Sequence, residues 1–96
     1  MEHKKVIWKY EIPITDHFNL NIPPEARILT VDVQDGTPYV WVEQDPEAMS
    51  AIRYFRIYGT GHTHRENEAI NYIGTFQMKG GALIWHLYEL VRKGAK

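Results

Sequence analysis

One stretch of this sequence, residues 55–64, FRIYGTGHTH, brings together residue types that could do chemistry. Arg56 stands three residues before Gly59-Thr60-Gly61, and two histidines follow, at His62 and His64. Three chemistries compete for this stretch. In an extended segment residues two apart point the same way, so His62 and His64 could meet one metal ion. His86, Glu66 or Glu68 would have to complete the set. A solvated polar loop is the preferred reading, because two histidines at this spacing are weakly specific. The second option is an anion site. Glycines let successive backbone N–H groups turn toward one point and hold a phosphate or carboxylate. Thr60 adds a hydroxyl, and the Arg56 guanidinium can grip two oxygens at once. The third option is a strand-end turn that uses Gly59 and Gly61 only for their dihedral angles.

Neighbouring aromatics favour the anion reading. Along 51–58, Tyr54, Arg56 and Tyr58 share one face, while Arg53, Phe55 and Ile57 share the other. Rings beside a guanidinium suit a planar base with a phosphate attached. Tyr58 is expected to stack and His62 to donate a side hydrogen bond. Arg53 and Trp41, the latter aligned with Tyr39 on the preceding strand, are second-tier candidates. Hydrolysis finds no support: the only serine, Ser50, lacks a nucleophile-elbow setting. Asp32, Glu43 and Glu89 are carboxylates that nothing in the sequence pairs. No catalytic residue, metal or cofactor is assigned.

The elements that must position these residues are strands. Val6, Trp8, Tyr10 and Ile12 alternate with Lys5, Lys9 and Glu11, and Phe18, Leu20 and Ile22 with His17, Asn19 and Asn21 before Pro23-Pro24. Leu29, Val31 and Val33 lead into Asp35-Gly36, a tight-turn pair, and YVWVEQ returns, so 27–43 reads as a hairpin. Strands at 51–58, 71–77 and 82–91 complete the chain, with a loop at 45–50 and a polar loop at 65–69. The last segment could be helical, but its β-branched and aromatic content favours a strand. An all-β fold follows: a small antiparallel β-sandwich or barrel-like domain of seven to eight strands. Its core is expected to hold Trp8, Phe18, Phe55, Phe76 and Trp85.

The totals agree with one domain over residues 1–96, with a core at about 5–90 and a basic tail at 91–96. The 96 residues are 44% hydrophobic and 24% charged, with a formal net charge of −1. That balance argues against a general DNA or RNA binder but leaves room for a small phosphorylated ligand. The absence of cysteine excludes disulfides, thiolate metal sites and a thiol nucleophile. No secretory signal or membrane span is recognisable, so a cytoplasmic protein is expected. Two aromatic faces on so small a domain suggest a homo-oligomer, with ligand between protomers.

The blocks IWKYEIPITD, ARILTVDVQDGTPYVWV, FRIYGTGH, YIGTFQ and GGALIWHLYE occur in this order from about Val6 to Glu89. In these blocks the chain resembles a widespread family of small phage proteins, whose members read ILSVQVQ-G-P-LWA, FRIYGTGH and YIGTFQ--GGALVWHV-E. It departs from that pattern at His64 and in its longer basic tail. The resemblance implies an anti-CBASS sponge. Such a protein is a homotetramer in the infected cell's cytoplasm that sequesters cyclic dinucleotides such as 3′3′-cGAMP without cleaving them. The expected site, Arg56, Tyr58, Gly59, Thr60, Gly61, His62, Arg53 and Trp41, rests on the residues themselves. A structural or host-protein-binding module is the alternative from another class, and a metal-dependent hydrolase or phosphodiesterase is the third.

Overall fold

The computed structural model describes residues 4–64 and 68–91. The polar loop and basic tail expected at 65–69 and 91–96 therefore fall largely outside the described residues. Seven strands run in chain order: β1 (Val6–Glu11), β2 (His17–Ile22), β3 (Arg27–Gln34), β4 (Thr37–Gln44), β5 (Ala51–Gly59), β6 (Ile70–Met78) and β7 (Leu83–Leu90). Among the described residues there is no α-helix, only a 3-10 turn over Lys79–Gly81. The strands form two antiparallel sheets, ordered β1-β4-β3 and β2-β5-β7-β6. The β-sandwich-like, all-β expectation is met, and the last segment is a strand.

Alternation in the sequence becomes two-sided sheets. In β4 every second residue is buried, with Val40 and Val42 fully so. In β5 Phe55, Ile57 and Gly59 point inward, while Tyr54, Arg56 and Tyr58 stay half-buried on the outer face. Both sheets contribute to one core, which joins Val31, Val40 and Val42 to Ile22, Phe55, Phe76 and Leu87. Phe18 stacks on Phe55 with ring centroids 5.1 Å apart. Each large side chain removed from water in this way contributes about 1.5–3 kcal/mol. The buried amide of Gln44 is satisfied by the Tyr10 hydroxyl at 2.6 Å.

The β3–β4 hairpin turns at Asp35 and Gly36, both with positive φ (50° and 80°), as the paired turn residues predict. Residues 45–48 form a turn, not a helix: Glu47 N–H donates to Asp45 Oδ1 and Ala48 N–H to the Asp45 carbonyl.

One core expectation and one alternation need correction. Trp8 is 44% exposed, because β1 is the edge strand of the smaller sheet. Leu29 is also exposed, because the β3–β4 register shifts between Ile28 and Thr30. That bulge turns Leu29 out and lets Ile28 pack against the core.

Candidate functional site

Register across the larger sheet assembles the site. Arg56 pairs with His17 on β2 and with Tyr88 on β7, and Tyr88 pairs in turn with Tyr72 on β6. Four side chains thus form one row across the outer face. The next row runs from Tyr58 to His86 to Thr75. Residues directly opposite one another on neighbouring strands share a face, so the two rows make one polar, aromatic surface.

A carboxylate ties the first row to the second. Glu68 Oε2 accepts from Arg56 Nε and Nη2 at 3.2 and 2.9 Å. Glu68 Oε1 accepts from the Tyr58 hydroxyl at 2.7 Å. Both side chains of the ion pair are largely shielded, 27% and 17% exposed. The Tyr58 phenol is pushed above its ordinary pKa, first by burial and then by its hydrogen bond to Glu68 and that residue's negative charge. Arg56 pulls weakly the other way.

Rings close around Tyr58. The His64 imidazole stacks on it at 4.3 Å, and Tyr88 meets it edge-on at 5.6 Å. Tyr72 extends the cluster from the far side of Tyr88 at 5.4 Å. A cavity of about 440 Å³ opens here, lined in part by Asp16, His17, Arg56, Tyr58, His64 and Glu68.

His86 is held by hydroxyls at both nitrogens, Nε2 to Thr60 Oγ1 at 2.7 Å and Nδ1 to Thr75 Oγ1 at 2.9 Å. Thr75 Oγ1 also meets the Tyr72 hydroxyl at 2.6 Å. One proton assignment satisfies the whole chain. Tyr72 donates to Thr75, Thr75 to Nδ1, and Nε2–H to Thr60, whose own hydroxyl donates to the Ile84 carbonyl at 3.4 Å.

The Gly-Thr-Gly segment is not an open anion nest. Thr60 N–H, at the centre of the expected nest, donates to the Ile84 carbonyl, and His62 N–H after it donates to the Gly59 carbonyl. The segment is a four-residue turn with Gly61 at φ 89°, a conformation that suits glycine. Gly59 serves by lacking a side chain: a Cβ there would lie 2.9 Å from the His62 ring and 3.2 Å from Trp85. The turn therefore places the His62 imidazole on the cavity, while the Thr60 hydroxyl is spent on His86 and Ile84.

The other expected residues divide. Arg56, Tyr58 and His62 line the cavity, while Gly59, Thr60 and Gly61 line a second one of about 240 Å³ with His86 and Tyr88, sharing Tyr58, His62 and His64 with the first. Arg53 stands apart on the inner side of β5. It donates to both Glu89 oxygens at 2.6 and 2.8 Å, and to the carbonyls of Pro23, Pro24 and Ala26. Trp41 lies on the other sheet, edge-on to Tyr39 at 6.1 Å. His17, Tyr72 and Thr75 join the site unforeseen. Their positions were legible only through the strand order β2-β5-β7-β6, which no local pattern specifies.

Among the described residues, no group of three or more His, Cys, Asp or Glu side chains could hold a metal ion. His64 is stacked on Tyr58 and His86 is held by two hydroxyls, while Glu66 lies outside the described residues. Among the described residues no helix is long and apolar enough to cross a membrane.

No curated protein and no solved structure matches the chain. A family model matches it from residue 3 to residue 96. The chain accordingly belongs to the family described as a domain of unknown function, DUF7352.

Proposed function

We propose that this protein binds cyclic dinucleotides, such as 3′3′-cGAMP, on the outer face of the larger sheet and holds them intact. A phage sponge of this kind would work in the cytoplasm of the infected cell, starving CBASS defence of its signal. Sequestration asks no bond-breaking chemistry of these residues. The observation that carries the reading is the stacked Tyr58–His64 pair beside the Arg56 guanidinium in a cavity of about 440 Å³. Aromatic faces hold bases by stacking, and a guanidinium fork matches phosphate oxygens.

The cavity is open and sized for part of a dinucleotide, within the range of roughly 300–1,000 Å³ common for small-molecule sites. A second protomer would cover the remainder, in keeping with the homotetramer that the phage-family resemblance implies. Tyr72, 58% exposed at the end of the aromatic row on the same face, offers surface for such a protomer.

Calorimetric titration of the purified protein with 3′3′-cGAMP tests the proposal, followed by heating the complex and chromatographing what is released. Tight binding with intact ligand recovered supports a sponge. Recovery of a cleaved product would make the protein an enzyme. Absence of heat across a panel of cyclic nucleotides would leave a structural or host-binding module as the better reading.

A further inference from the structure

The cavity proposed to take a phosphodiester holds carboxylates as well as an arginine. Among its described lining residues, one guanidinium, Arg56, faces two carboxylates, Asp16 and Glu68. Yet Arg56 and Tyr58 are arranged as an anion would require. The guanidinium offers its Nε–Nη2 edge, the side that grips a phosphate. The Tyr58 hydroxyl points at the same group, and the anion receiving all three donors is the protein's own Glu68.

We infer that Arg56 and Tyr58 form a phosphodiester subsite that Glu68 occupies in the free protein, so that ligand binds by exchanging its phosphate for the Glu68 carboxylate. This rests on the proposed binding of cyclic dinucleotides at this site. The two Glu68 oxygens stand in for two non-bridging phosphate oxygens, one on the Arg56 fork and one on the Tyr58 hydroxyl. Nothing covalent changes. Three hydrogen bonds are handed from one anion to another.

The exchange has a consequence for selectivity. Any anion must outcompete a carboxylate already tethered beside Arg56, which acts as a competitor at high effective concentration. A lone inorganic phosphate, with no base to stack on Tyr58 and His64, is disfavoured. A ligand that also stacks has further binding energy with which to displace Glu68. Glu68 thus keeps the subsite from filling with small cellular phosphates.

Glu68→Gln removes the charge while keeping shape and hydrogen-bonding capacity. The test follows the Arg56 Nε–H resonance by NMR while wild type and variant are titrated with inorganic phosphate. Both are also titrated with 3′3′-cGAMP by calorimetry. The variant is expected to bind phosphate at Arg56 at least tenfold more tightly than wild type, and Arg56→Ala in the same background should abolish the gain. Glu68→Ala, which unmasks Arg56 by another route, should reproduce it and guards against a folding defect peculiar to one variant. Equal phosphate affinity in wild type and both variants, or weaker affinity in the variants, overturns the inference. A phosphate gain without 3′3′-cGAMP binding in any protein would leave the subsite standing and remove the proposed function. Binding of 3′3′-cGAMP that does not change on removing Glu68 would do the reverse.

Discussion

Two arginines three residues apart on β5 show how one residue type takes opposite duties. Arg53 faces inward and is saturated: both oxygens of Glu89 and three backbone carbonyls accept from it. It ties β5 to β7 and to the connection between β2 and β3. Arg56 faces outward and holds one oxygen of one carboxylate, at the wall of a cavity. A guanidinium whose partners are fixed backbone carbonyls cannot leave them without orphaning buried acceptors. One whose partner is a single side-chain carboxylate can change partner. The difference teaches that Arg53 belongs to the fold, while Arg56 is the arginine left for the recognition proposed above.

Breaking the first arginine should have the largest effect on stability. Arg53→Ala strands Glu89 and the carbonyls of Pro23 and Ala26 behind partly buried surface. We expect a loss on the order of 2–3 kcal/mol, read as a melting temperature lower by roughly 10 °C or more. A variant with unchanged melting would mean those carbonyls find water, and would erase the distinction between the two arginines.

Gly59→Ala probes the turn that follows Arg56. Its new Cβ would meet the His62 ring at 2.9 Å and Trp85 at 3.2 Å. Displacing those rings should cost about 1–2 kcal/mol and weaken ligand binding, since His62 borders the cavity. Thermal unfolding and calorimetry on the same sample would separate the two effects.

A smaller effect sharpens the Arg56 side. The Tyr58 pKa in the folded protein lies above the ordinary value of 10.0, so its protonated form favours folding. That contribution is complete below about pH 10 and is lost as the pH climbs toward the raised value. Tyr58→Phe cannot ionise. The stability of wild type relative to this variant should therefore fall as denaturant titrations move above pH 10. Parallel curves would mean that Glu68 and burial do not hold the phenol protonated.

How much of this was legible in the sequence depends on the range of the interaction. Alternation along 51–58 separated Tyr54, Arg56 and Tyr58 from Phe55 and Ile57, because facing in a strand is a period-two property. Asp35-Gly36 announced its hairpin because positive φ at both positions is a local demand. Trp8 misled, since large apolar residues suggest a core but edge position depends on strand order. Glycine spacing around Thr60 suggested an amide nest, whereas Ile84, on a strand more than twenty residues away in sequence, takes the Thr60 amide. Glu68 was visible only as a possible metal ligand. Its role as the anion on Arg56 and Tyr58 depends on a contact across ten to twelve residues that no motif marks.

The most direct measurement is calorimetric titration of 3′3′-cGAMP into wild type and Arg56→Ala, with unfolding curves recorded on both. Wild type should bind, while Arg56→Ala should lose at least tenfold in affinity. Its stability should fall by less than that of Arg53→Ala, because no backbone carbonyl loses a donor with Arg56. Binding of wild-type strength by Arg56→Ala would contradict the account, and so would collapse of its fold, which would give Arg56 the duty assigned here to Arg53.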